Sequence, residues 1–201
     1  MLSAERIGTR IVVYGATGSG KTTFARRTAG ALGIRIIELD AIRHERGWDS
    51  TGWAELEQRI LAAIAESPAG WICEGNYSRI AHIALGHADT VIWLHLPWRV
   101  SFLRLLKRTL WRAYTREPLY NENGPRESWR MTFLSRQSIL WWSIHHHRAT
   151  GRRVRERLAG VGPGVQVSVL RSARQVAALL AEIELLGHER TASGSTAVSE
   201  S

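Results

Sequence analysis

Residues 15 to 22 read Gly15-Ala16-Thr17-Gly18-Ser19-Gly20-Lys21-Thr22, a full G-x-x-x-x-G-K-[ST] pattern between an apolar run and an amphipathic stretch. Each part of the pattern dictates something local. Glycines let consecutive backbone N–H groups turn inward around a polyphosphate, the lysine reaches the β and γ phosphates, and the following hydroxyl holds Mg2+. The flanks are those such a turn requires. Ile11-Val12-Val13-Tyr14 has the composition of a buried strand, and Phe24, Ala25, Thr28, Ala29 and Leu32 recur at helical spacing from Lys21 until Gly33. Strand, glycine-rich turn and helix together imply a site for a nucleoside triphosphate, with ATP and Mg2+ as ligands and Gly15 to Thr23 as the cradle. Lys21 and Lys107 are the only lysines against 25 arginines, so position 21 keeps an ammonium where almost every other cation is a guanidinium.

The remainder of the chain alternates between the same two periods. Arg35 to Asp40 reads as a second strand ending in a carboxylate, followed by a loop through Trp48 to Ser50. Trp53, Leu56, Ile60 and Ile64 mark a helix, and Ser67-Pro68-Ala69-Gly70 breaks it before a third strand, Trp71 to Glu74. A short helix is expected over Ser78 to Leu85, a fourth strand over Thr90 to Leu96, and a long arginine-rich helix from Trp98 to Thr115. Asn121 to Pro125 is a loop, and a helix carrying Phe133, Leu140, Trp141 and Ile144 runs from Pro125 toward residue 148. After Gly160 to Gly164 come a fifth strand, Val165 to Leu170, and a last helix capped by Ser172 with Val176, Leu179, Leu180 and Ile183 inside. Such alternation implies an α/β fold with a parallel sheet covered on both faces. Residues 1–186 are read as one domain and the Gly-, Ser- and Thr-rich stretch 187–201 as a disordered tail.

Composition excludes several function classes. The single cysteine, Cys73, rules out disulfide scaffolds and cysteine-based zinc sites. No apolar run approaches the roughly 20 residues that span a bilayer, so a cytoplasmic protein without a membrane partner is expected. His145, His146 and His147 are consecutive, so on a helix they point about 100° apart and do not converge on one ion. Charge is uneven: residues 99–157 hold 14 Arg or Lys against 4 Glu, a net of +10 in a chain whose total is +9. That segment is built to meet anions, either phosphates of a small molecule or a nucleic acid.

In open parallel sheets ligands sit at the carboxyl ends of the strands. Asp40, Glu74 and Arg99 fall there beside the glycine-rich loop. A metal ion bridging two phosphates needs carboxylates opposite Thr22, and an acceptor hydroxyl needs a base, so Asp40 and Glu74 divide those roles. The same two side chains also suit helix capping. Arg104, Arg108, Arg112 and Arg116 step by four along one helix without acidic partners within it, an arrangement an anionic ligand relieves. Arg104 and Arg108, nearest the fourth strand, are candidates for clamping the transferring phosphate. Arg136, Arg148, Arg152, Arg153, Arg155 and Arg157 form a second basic group that the sequence does not rank. Trp48 is a candidate cover for a substrate face.

The phosphate loop, Glu38-Leu39-Asp40 with Gly47-Trp48, Glu74-Gly75-Asn76-Tyr77, Trp93 to Pro97, the arginine helix and Ser135-Arg136 with Ser138 to Trp142 resemble adenylate-kinase-related P-loop proteins, most closely the bacterial topology-modulation type. The likeness covers roughly residues 10 to 183. It implies a three-layer P-loop kinase fold: a five-stranded parallel sheet of order 2-3-1-4-5 with an arginine-rich helical lid over about residues 98–157. Nucleoside monophosphate kinases carry Asp-Gly-x-Pro-Arg after strand three. Here Glu74-Gly75-Asn76-Tyr77-Ser78-Arg79 lacks the proline and shifts the arginine, and the resemblance implies that Glu74 serves Mg2+ while Asn76, Tyr77 and Arg79 face the acceptor. Two functions follow. One is phosphoryl transfer from ATP to an unidentified small-molecule acceptor, with Lys21, Asp40, Arg104 and Arg108 catalytic. The other is an ATP-dependent regulator or NTPase that places its basic segment on nucleic acid.

Overall fold

The computed structural model describes residues 7–44, 51–115 and 139–198. Trp48, Arg116, Arg136, the 121–125 loop and the first part of the helix expected from Pro125 lie outside the described residues. Five strands, β1 (Arg10–Gly15), β2 (Arg35–Glu38), β3 (Trp71–Glu74), β4 (Thr90–Leu94) and β5 (Gln166–Leu170), form one sheet of order β2-β3-β1-β4-β5. Every pairing is parallel, as the alternation and the resemblance implied.

Period-two alternation in β1 explains how both faces of the sheet are covered. Ile11 and Val13 join Ile72, Ile92 and Leu94 on one face, under Phe24, Ala25 and Ala29 of α1 (Lys21–Leu32). Leu179, Leu180 and Ile183 of the last helix complete that layer. Val12 and Tyr14 point the other way, to Trp71, Cys73, Val91 and Trp93. Above them lie Leu56, Ile60 and Ala63 of α3 (Trp53–Ala65) and Ile83 and Ala84 of α4 (Ala81–His87). Val154 of α6 (Ile139–Ala159) joins the same layer. Cys73 belongs to this core, and its burial pushes the thiol up to about 12. The arginine-rich helix, α5 (Trp98–Thr115), occupies the expected range.

Two segments depart from the sequence reading. The second strand stops at Glu38, and Asp40, expected to end that strand, lies in the first turn of a short helix, α2 (Leu39–Arg43). Leu39 turns inward to become core, packed against Gly75, where any side chain would press on it. The final helix, α7 (Ala173–Val198), passes through Gly187, where a disordered tail was expected to begin. There the glycine is a packing device and not a stop: a Cβ at 187 would strike the backbone of Ala31 on α1. Arg27 of α1 reinforces the crossing with two hydrogen bonds to the Glu184 carboxylate, at 2.7 and 2.8 Å.

Candidate active site

The carboxyl ends of β1, β3 and β4 converge on the glycine-rich loop. Gly18 and Gly20 hold φ of 81° and 94°, left-handed conformations that side chains with a Cβ rarely adopt. Close approach requires glycine as well, because a Cβ at Gly18 would run into the Ser101 carbonyl of α5. One turn further along α5, Arg104 donates from Nη1 to the Ser19 carbonyl at 3.3 Å. Contacts within the chain therefore hold the loop at the start of α1, where free backbone N–H groups suit a phosphate.

Lys21 Nζ donates to the Ala16 carbonyl at 3.4 Å. Burial pushes its ammonium below the usual lysine range, the charges of Glu74 and Asp40 pull it back up, and Arg108 adds to the lowering. Glu74, 2% exposed at the end of β3, mirrors this. Burial raises its carboxyl pKa and so does Asp40's charge, while Lys21 and the hydrogen bond from Thr22 Oγ1 to its Oε1, at 2.9 Å, act downward. Its other oxygen, Oε2, is buried with no hydrogen-bond partner among the described residues. Lys21, Thr22, Glu74, Asp40 and Arg108 thus form one electrostatic cluster, assembled from α1, β3, α2 and α5, with Arg104 beside it on the phosphate loop. Arg99 is exposed on the first turn of α5.

Asn76 ties the loop after β3 to the start of the phosphate loop. Its Nδ2 donates to the Gly15 carbonyl at 2.6 Å and its Oδ1 accepts from the Gly15 N–H at 3.4 Å. Beyond it the sequence reading missed a second constellation. Trp53, expected as a core-facing residue of α3, carries the Arg43 guanidinium 4.1 Å from its ring centroid and that of Arg79 at 5.6 Å. Tyr77 meets the same indole edge-on at 5.9 Å. Arg43 stands three residues after Asp40 in α2, and that i, i+3 spacing was the one available signal. Its Nη1 is buried without a hydrogen-bond partner among the described residues.

No protein-family model matches the chain. It is 27% identical to the shikimate kinase of Paramagnetospirillum magneticum over 139 residues, 63% of this chain and 68% of that protein. Among solved structures, shikimate kinase from Acinetobacter baumannii in complex with shikimate aligns with a TM-score of 0.51 at 17% identity, covering 90% of this chain and 93% of that one. Shikimate kinase from Bacteroides thetaiotaomicron aligns at 0.49 and 18%, covering 88% and 96%. The nucleic-acid reading draws no support from these relatives, and the finer likeness to topology-modulation-type proteins rests on the sequence motifs. Within the described residues no helix is long and apolar enough to cross a membrane. The five-stranded parallel sheet is the adenylate-kinase-like fold of P-loop kinases, and the complete phosphate loop together with the sequence likeness to a shikimate kinase supports an ATP-dependent kinase of small molecules.

Proposed function

We propose that the acceptor is a small hydroxylated anion, a hydroxy acid such as shikimate or a sugar phosphate. One observation carries this reading: two guanidiniums, Arg43 and Arg79, meet on Trp53 one helical turn from Asp40. Asp40 lies near enough to the phosphate loop for its charge to act on both Lys21 and Glu74. An acceptor that offers a hydroxyl to Asp40 therefore has its far end beside the two arginines, about 5 Å further on. Guanidiniums gathered over an indole bring together the forked donors that bind carboxylate or phosphate with paired hydrogen bonds.

In this scheme the acceptor oxygen attacks the γ phosphorus while Asp40 takes the hydroxyl proton. The bond from that phosphorus to the oxygen of the departing ADP breaks. Lys21, Arg104 and Arg108 balance the charge that gathers on the phosphoryl and leaving oxygens, and positioning supplies the remainder of the acceleration. Thr22 Oγ1 and the buried, unpaired Oε2 of Glu74 are hard oxygen donors suited to Mg2+, held directly or through water. Mg2+ held there would offset the negative charge of the phosphate oxygens.

The test is ADP release from ATP in the presence of shikimate, other hydroxy acids and sugar phosphates, each set against a neutral counterpart such as the methyl ester or free sugar. Anionic acceptors should raise turnover above the acceptor-free rate and neutral ones should not. With the best acceptor, Arg43→Ala should lower kcat/KM about 10- to 100-fold, the worth of one charge-assisted contact. Asp40→Asn should abolish transfer while nucleotide binding persists. Equal turnover of charged and neutral acceptors sinks the proposal.

A further inference from the structure

Arg157 reaches from α6 into the loop that follows β3. Its Nη2 donates to the Ser78 hydroxyl at 2.5 Å and to the Asn76 carbonyl at 3.4 Å. Its guanidinium also sits 5.4 Å from the centroid of the Tyr14 ring, on the residue that precedes the phosphate loop. Asn76, held on one side by Arg157, is the residue whose amide brackets Gly15 on the other. Three segments distant in sequence meet at this point: the end of β1, residues 75–80, and α6.

The contact does not look like a device for stability alone. No carboxylate pairs with Arg157 among the described residues, and its Nη1 is buried without a hydrogen-bond partner. A partly buried guanidinium held by neutral oxygens and a ring face is a weak source of folding energy, because desolvation consumes most of what those contacts return. What the planar fork does supply is direction: two donors fixed in one plane hold a backbone carbonyl and a hydroxyl two residues apart in a single arrangement. The loop so held is the one that presents Tyr77 and Arg79 to Trp53.

We infer that Arg157 is a positioning residue for the acceptor half of the site: it sets the 75–80 loop against the phosphate loop through Asn76 and Ser78, and touches neither nucleotide nor acceptor. The inference rests on the reading that this loop faces the acceptor. It separates the two halves of the reaction, because Lys21, Thr22 and Arg104 are held by contacts that do not involve Arg157.

Hydrogen–deuterium exchange on the full chain without acceptor tests the positioning directly. Arg157→Ala should speed exchange in a peptide covering 75–80 by about tenfold or more, with β1 and β4 unchanged. Ser78→Ala, a milder change at an exposed residue, should move the same peptide in the same direction, and Arg157→Lys should fall between, since an ammonium cannot hold both oxygens in one plane. Steady-state kinetics with whichever acceptor turns over should then show the acceptor KM raised about tenfold and the ATP KM within about twofold. Unchanged exchange at 75–80, exchange accelerated equally across the sheet, or a rise in the ATP KM instead would each overturn the inference. Because exchange is read without acceptor, an error about the acceptor's chemistry leaves that result standing.

Discussion

Glu74 illustrates how a single side chain is used against its own solvation. A carboxylate 2% exposed with one oxygen unpaired is costly unless something cationic completes it. Its raised pKa has a definite consequence for ligand-free protein. Between the ordinary value of 4.5 and the higher folded value, the folded state holds a proton that the unfolded chain has released, so stability falls as pH rises through that window. Urea unfolding of ligand-free protein across this range should show that downward contribution, and Glu74→Gln should remove it. Lys21 is the complementary case, an ammonium made uncomfortable by burial and waiting for anionic oxygens. Replacing it with Met should abolish the thermal stabilisation given by Mg·ATP and reduce turnover to background. Retention of both would refute the assignment of the loop. The placing of these two side chains beside each other at the carboxyl end of the sheet was legible in the sequence, because they sit on a contiguous motif and at a strand end. Arg43, Trp53, Ser78 and Arg157 were not, because they arrive from four separate elements and no local spacing joins them.

At the scale of elements, a glycine means whatever its neighbours make of it. Gly33 ends α1 in a left-handed conformation, as the sequence reading had it, with its N–H bonded to the Ala29 carbonyl. Gly187 looks similar in sequence, yet α7 continues through it, because there the missing side chain admits the Ala31 backbone. Gly187→Val should therefore force α7 away from α1 and destabilise the protein by about 1–3 kcal/mol, the usual range for overpacking, as measured by urea denaturation. The strands and the longer helices followed from periodicity, which reports burial, the start of α1 from the Gly-Lys-Thr pattern, and the strand order from the family resemblance alone. The switch from β2 into α2 at Leu39 did not, since the five-residue α2 leaves too few repeats for a period to register. That small turn decides where Asp40 and Arg43 stand, so the proposed acceptor side was the part least visible in advance.

For the whole molecule, binding energy and folding energy are linked through the sheet that carries the loop. Mg·ATP at about 100 times its dissociation constant should stabilise the fold by about 2.7 kcal/mol, or roughly 5–10 °C in Tm for a domain of this size. Differential scanning fluorimetry with and without Mg2+ checks this. The pairing of α1 with α7 carries a further consequence, for the order in which the protein is made. The helix that bears Lys21 and Thr22 emerges early in synthesis, while Leu179, Leu180 and Ile183, which cover its apolar side, emerge last among the core residues. At typical elongation rates the interval between Ala25 and Leu180 is about 8 to 30 s. Throughout it the side of α1 that Leu179, Leu180 and Ile183 cover stands open, although the contacts of Ser19 with Arg104 and of Thr22 with Glu74 are already within the synthesised chain. A growing chain on the ribosome thus passes through a period in which its nucleotide cradle is fully translated while the helix behind it still offers a chaperone an apolar face to hold.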